Sequence, residues 1–181
     1  MDSKGCKVKL SDIGTIVGGA TPSTNCLDNY GGDIPWITPK DLSGYRYKYI
    51  SSGSKNITDK GLKSCSARIM PRDSILFTSR APIGYMAIAA NDICTNQGFK
   101  SIIPNHDVVD SEFLYYKLKS EVESIKDLGT GTTFPEISGK VFGEYQIDLP
   151  SLQIQKKIVK ILCSIDSVIE KNMKVNDYLA A

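Results

Sequence analysis

An α+β fold is predicted: a globular domain over residues 1–150, built on a mixed or antiparallel sheet with short helices, followed by one long coiled-coil-type helix over residues 151–181. Three observations predict it. Short apolar or alternating runs bounded by Gly, Pro, Asp and Asn recur through the first part. From Leu152 onward there is no Pro or Gly to break a helix. In that tail, apolar residues recur at alternating steps of four and three. With 41% hydrophobic and 23% charged residues among 181, the chain has an ordinary globular composition and enough length for one core.

In the first part, Asp33–Thr38, Ser74–Ser79, Gly84–Ala89 and Phe99–Ile103 are expected as strands. Thr58 to about Ser64 is expected as a short helix, capped by Thr58 and kept short by Gly61. Ser111–Leu128 is expected as a longer helix behind a Ser cap, with Leu114, Leu118, Val122 and Ile125 forming its buried stripe. Pro150-Ser151 marks the boundary to the tail, because proline stays out of helix interiors and Ser151 offers a capping oxygen.

In the tail, placing Ile154 at heptad position d puts Ile158, Ile165, Asn172 and Leu179 at a, and Ile161, Val168 and Val175 at d. Such a helix either packs back on its own domain or pairs with another helix. Asn172 favours pairing, since an Asn at an a position weakens a coiled coil but fixes its register.

Several function classes are excluded. No run approaches the roughly 18 apolar residues of a membrane span, and Met1-Asp-Ser-Lys4 lacks the basic-then-apolar order of a signal peptide. A cytoplasmic location without membrane association is expected. Cys6, Cys26, Cys65, Cys94 and Cys163 are odd in number and form no Cys-x-x-Cys pair, so reduced, mostly buried thiols are expected. His106 is the single histidine, in an expected loop, which rules out histidine triads and multi-histidine metal sites. Gly129-Thr-Gly131 follows a helix and lacks the Gly-Lys-Ser/Thr of a phosphate-binding loop. A glycine-rich methyl-donor loop with an Asn/Asp-Pro-Pro-aromatic motif is missing, and Asp73, Asp92 and Glu136 stand too far apart for a metal-dependent nuclease. What remains is a non-catalytic binding protein with no cofactor and no metal.

The net charge is only +2, but residues 40 to 80 carry nine Lys and Arg against three Asp, a local +6 that leaves the remainder at −4. Sequence clustering of this kind also fits an ordinary solvated face. Within it lie Lys40 and the block Tyr45-Arg-Tyr-Lys-Tyr49. As a strand, that block presents Arg46 and Lys48 on one face and its tyrosines on the other, suited to phosphates and base edges; equally, it fits an exposed strand with half-buried tyrosines. Thr78-Ser79-Arg80 ends a strand just before Ala81-Pro82, projecting Arg80 from a rigid edge. The loop Gly129–Phe134 carries small hydroxyls suited to phosphate contacts, although Gly-Thr runs also simply end helices. The candidate DNA contacts are therefore Lys40, Tyr45, Arg46, Tyr47, Lys48, Thr78, Ser79, Arg80, Thr130, Thr132 and Thr133. The candidate pairing residues are Ile154, Ile158, Ile161, Ile165, Val168, Asn172, Val175 and Leu179.

A series of stretches in fixed order carries a resemblance: Leu10-Ser-Asp-Ile13, Gly18-Gly-Ala-Thr-Pro-Ser23, Gly32-Asp-Ile-Pro-Trp-Ile-Thr38 with Asp41-Leu42, and Ile57-Thr-Asp-Lys-Gly-Leu62. Ile75-Leu-Phe-Thr-Ser-Arg80 with Ile83-Gly84, Thr95-Asn-Gln-Gly98, Phe113-Leu-Tyr-Tyr116 and Leu149-Pro-Ser-Leu152 follow, then Gln155, Ile158, Ile161-Leu162 and Ile165-Asp166. In these, across almost its whole length, the chain resembles the target recognition domain of type I restriction-modification specificity subunits. The resemblance implies a double-stranded DNA partner, modification (methyltransferase) and restriction subunits that supply catalysis, and a long helix that spaces domains and binds modification subunits. Family members typically carry two recognition domains and two long helices, whereas this sequence carries one of each and no internal repeat. A half-subunit is expected, pairing as a homodimer through residues 152–181 to read an inverted, bipartite site. Two alternatives stay open: the recognition part of a combined restriction-methylation enzyme, and a helix-mediated interaction or decoy protein for modification subunits.

Overall fold

The computed structural model describes residues 6–131, 133 and 135–179. Along the chain run strand β1 (Cys6–Lys9), helix α1 (Leu10–Ile13), β2 (Gly14–Gly18), β3 (Tyr30–Ile37), β4 (Tyr49–Ile50), β5 (Lys55–Ile57), α2 (Asp59–Lys63), β6 (Ile75–Phe77), β7 (Met86–Ala89), β8 (Cys94–Thr95) and β9 (Lys100–Pro104). Helices α3 (Ser111–Ser120), α4 (Val122–Lys126) and α5 (Gly139–Glu144), strand β10 (Gln146–Leu149) and the long helix α6 (Leu152–Leu179) complete it. This is the expected α+β arrangement of mixed sheets, short helices and one long terminal helix.

The central sheet has the order β2-β9-β6-β7-β4, antiparallel except for the β4–β7 pair. Its interior strands are apolar at successive positions because both faces are covered, which removes the in-out alternation of a half-exposed strand. Ile75 and Phe77 of β6, with Ile88 of β7 and Ile102 of β9, face a core shared with Leu114, Leu118, Phe142 and Val159 from helices. The intervening Leu76, Ala87 and Ala89 face a second core with Ile37, Met70 and Phe99. A smaller sheet, β5-β3-β8, wraps Trp36, Ile57 and Cys94, and β1 pairs with β10.

Sequence stretches that lie far apart meet at the seam between the two larger sheets. The Trp36 indole donates to the Ala20 carbonyl, the Ala20 amide to Thr95, and the Asn96 amide to Ile37. Gly19 admits no side chain there, since a Cβ would sit 2.0 Å from the Asn96 carbonyl oxygen. Burial pushes the Cys94 thiol up to about 11. It is the one fully buried cysteine among the five, all of them free: Cys6 is exposed and Cys26, Cys65 and Cys163 are half-buried, so the expectation of mostly buried thiols fails.

Thr58 caps α2, its hydroxyl accepting from the Gly61 amide. The cap of α3 is Asp110, not Ser111: the Asp110 carboxylate accepts from Phe113 at 3.0 Å, and the helix breaks at Glu121 instead of running to Leu128. Tertiary structure sets that boundary. The Asp110 amide donates to the side chain of Gln155 in α6, which fixes Asp110 in extended backbone just ahead of the helix. Tyr45–Lys48 is not strand; β4 starts at Tyr49. Gly44, at φ +73°, turns the chain there, and the Tyr45 hydroxyl closes the turn onto the Tyr49 carbonyl.

Candidate nucleic-acid interface

The candidate residues fall into two groups in different places. Lys48 is drawn inward, its side chain only 10% exposed, with its ammonium 2.6 Å from Glu112 of α3, 3.2 Å from the Tyr116 hydroxyl and 3.1 Å from Cys163 of α6. Tyr116 donates in turn to Asp166 of α6, and the Cys163 thiol donates to Glu112 at 3.3 Å. Further along, Arg46 reaches Asp177 of α6 at 3.4 Å. Tyr45 and Tyr47 meet edge to face, with ring centroids 5.8 Å apart. The two cations of this block thus reach the long helix, Lys48 through Cys163 and Arg46 through Asp177, and the picture of Arg46 and Lys48 sharing an open strand face is corrected. Burial acts on Glu112 to raise its pKa, but the bonds from Lys48 and Cys163 outweigh it and hold the carboxyl below its usual range.

A depressed carboxylate pKa contributes stability that is present above the unfolded value of about 4.3 and is lost as pH falls through the folded one. The advantage of wild type over Glu112→Gln in chemical denaturation should therefore be full at neutral pH, begin to shrink as pH falls past about 4.3, and disappear only below the depressed folded pKa. An advantage independent of pH would show that the charge of Glu112 does not contribute to stability through its pair with Lys48.

The second group gathers around Arg80. Thr78 and Ser79 are fully buried, so their hydroxyls build the platform and do not face solvent. The Thr78 hydroxyl donates to the Pro82 carbonyl at 2.7 Å and accepts from the Tyr85 amide at 2.9 Å; the Ser79 hydroxyl and amide both donate to the Gly98 carbonyl. Gly98 is itself held by the Asn96 side chain and lies against Pro39, the neighbour of exposed Lys40. At the end of this platform Arg80 bridges to Glu136, and Glu136 exchanges two backbone bonds with Thr130, closing the Gly-Thr loop. Thr130 and Thr133 are exposed on that loop; Thr132 lies outside the described residues. The Arg80 guanidinium stands 3.3 Å from the Glu136 carboxylate, whose other oxygen is 3.5 Å from Lys100 of β9.

Sequence reasoning missed Lys100, Glu136 and the Glu112–Cys163–Tyr116–Asp166 network. The pairs span 36 to 56 residues, and no periodicity signals contacts at that range. His106 sits exposed in a turn. Among the described residues no group of three or more His, Cys, Asp or Glu could hold a metal ion, and no helix is long and apolar enough to cross a membrane.

Helix α6 lies on its own domain through one stripe. Gln155 and Val159 are buried, and Leu162, Cys163, Asp166, Glu170 and Met173 are half-buried. Ile154 and Ile158, at the start of the predicted seam, are half-covered by the domain. From there the seam turns to solvent: Ile161 is 62% exposed, Ile165 51%, Val168 56%, Val175 54% and Leu179 75%, with Asn172 exposed among them.

Residues 4–179 match the family model of the type I restriction modification DNA specificity domain. The chain is 53% identical over 173 residues to the type I restriction enzyme MjaIX specificity subunit of Methanocaldococcus jannaschii, covering 94% of this chain and 40% of the relative. It is 34% identical over 159 residues to the HindI specificity subunit of Haemophilus influenzae, covering 84% of this chain and 34% of the relative. The chain thus spans well under half the length of these relatives. Among solved structures, the HsdS subunit from Thermoanaerobacter tengcongensis superposes with a TM-score of 0.70 at 21% identity, covering 94% of this chain and 39% of that one. A chain from a type I R-M system complex superposes at 0.72 and 22% identity, covering 94% and 40%.

Proposed function

Because the chain belongs to the family of type I restriction modification DNA specificity domains, we propose that it is the non-catalytic, sequence-reading part of such an enzyme, acting on double-stranded DNA in the cytoplasm. Residues 1–150 are the recognition domain and residues 151–181 the helix that pairs and spaces domains. Methyl transfer and cleavage belong to modification and restriction subunits bound to it.

The observation that carries the DNA contact is the convergence of Arg80, Lys100 and the Thr130–Glu136 loop on a buried hydrogen-bonded platform. A rigid base lets a guanidinium be aimed at a base edge, while the threonine hydroxyls and Lys100 take phosphates. The contact set narrows to Lys40, Arg80, Lys100, Thr130 and Thr133. Thr78 and Ser79 act from beneath, Arg46 and Lys48 are engaged with α6, and Tyr45 and Tyr47 pack against each other beside them. Arg80→Ala should relax discrimination at one base position by roughly 1–3 kcal/mol, read by competition between a cognate duplex and single-base variants. Unchanged affinity and unchanged preference would remove Arg80 from the interface.

The exposed seam of α6 supports pairing of two copies, which makes the recognised site an inverted repeat of one short half-site around an unread spacer. Methylome sequencing of cells expressing the chain with its modification subunit tests both points. A symmetric bipartite motif is expected; an asymmetric one would exclude the symmetric pair.

A further inference from the structure

Glu136 carries a negative charge at the centre of the surface proposed to meet a polyanion. Its two carboxylate oxygens are divided between Arg80 at 3.3 Å and Lys100 at 3.5 Å. Neither contact has the short distance of a strong charge-assisted bond, and the carboxylate is 38% exposed. Partly exposed ion pairs of this length are weak and are readily exchanged for another anion. The position of Glu136 does not depend on these contacts. Its amide and carbonyl are bonded to Thr130, and the next amide, Ile137, donates to the Ser79 carbonyl at 3.0 Å. The backbone therefore delivers a carboxylate to the point where Arg80 and Lys100 come together, whichever way the side chains turn.

Resting on the DNA-reading function above, we infer that Glu136 is an internal phosphate mimic: it holds Arg80 and Lys100 until a DNA phosphate displaces it, and so suppresses binding to unrelated DNA. Non-specific affinity comes from cations that release counterions from phosphates. Two cations already matched by a carboxylate contribute little to that term until the carboxylate gives way. A correct site compensates for the exchange with base contacts from Arg80, whereas unrelated DNA offers only the phosphates. Glu136 is on this account a specificity-determining residue that need not touch a base.

The test uses the full chain and a fluorescently labelled mixed-sequence duplex, with anisotropy followed from about 50 to 200 mM salt. Glu136→Gln keeps the side-chain shape and every backbone bond while removing the charge. The expected result is an affinity gain on the order of tenfold at low salt and a salt slope steeper by about one to two. Adding Lys100→Gln to Glu136→Gln should return about one of those units of slope, which a merely structural role for Glu136 would not produce. Binding by wild type with no gain in affinity or slope in Glu136→Gln would overturn the inference and leave the DNA-reading function standing. Failure of wild type and variant alike to bind the duplex would overturn both.

Discussion

Replacing Ile165 by lysine should take the chain from twice its monomer mass to once in light scattering at micromolar concentration, while leaving the secondary structure seen by circular dichroism unchanged and lowering the melting temperature only by what association contributes. Ile165 is half exposed in the monomer, and its neighbours on the seam, Ile161 and Val168, are also open to water. A charge there costs the isolated fold almost nothing. In a pair of α6 helices the same residue sits at an a position near the middle of the seam, where its knob enters the facing helix and meets its symmetry mate or its neighbours. Burying two lysines without partners costs several kcal/mol, comparable to the whole contribution of a few buried isoleucines at about 1.5–3 kcal/mol each. Asn172→Leu makes the complementary case. It removes the polar residue that fixes register, so the pair should tighten while losing a unique alignment, seen as higher oligomers in sedimentation. A wild-type chain that is monomeric throughout would end the homodimer reading, whatever the behaviour of the variants.

What could be read from the sequence depended on the range over which each feature is determined. Strands β6, β7 and β9 were legible because apolar runs are local patterns that their burial then confirms, and the helix α6 because its unbroken helical periodicity is local too, although most of its heptad seam faces solvent. Thr58 was legible as a cap for the same reason. Asp110 was not, because Asp and Ser are equally good caps and the choice was made by a side chain 45 residues away. The Tyr45–Tyr49 block looked like an open cationic strand because alternation of charge and ring is what such a strand displays. Its cations are instead used internally, by Glu112 and Asp177, and no spacing rule foretells those partners. The ordered motifs carried more than a family label. Residues from the segments 18–23, 32–38, 75–80 and 95–98 meet in one hydrogen-bonded seam that ends at Arg80, so their order in sequence encodes a platform assembled in space.

Gln155→Leu should be among the most destabilising single substitutions in the chain. Gln155 is completely buried, and its amide uses both ends: Oε1 accepts from the Asp110 amide at 2.9 Å, while Nε2 donates to the Val108 carbonyl at 3.0 Å and to the Pro150 carbonyl at 2.8 Å. Those three backbone groups lie ahead of α3 and just ahead of α6, so one side chain ties the start of the long helix to the start of the helix it packs on. Leucine fills nearly the same space but deprives one backbone donor and two backbone acceptors in part-buried surroundings of their partner. At about 1–3 kcal/mol for each unsatisfied group, partly relieved by relaxation and water entry, the loss should be roughly 2–4 kcal/mol. For a domain of this size that corresponds to a fall in melting temperature of about 5–15 °C. Hydrogen exchange should locate the change in the first turns of α3 and α6. Gln155→Glu separates the hydrogen-bonding account from simple packing. An ionised carboxylate still accepts from Asp110 but faces the Val108 and Pro150 carbonyls with a negative charge, and burial raises its pKa. Only the protonated acid can donate to one of those carbonyls, so this variant should regain stability relative to wild type as pH falls from 8 toward about 5. If Gln155→Leu melts within a degree or two of wild type, or Gln155→Glu shows no recovery on acidification, the amide clamp is not what seats the long helix.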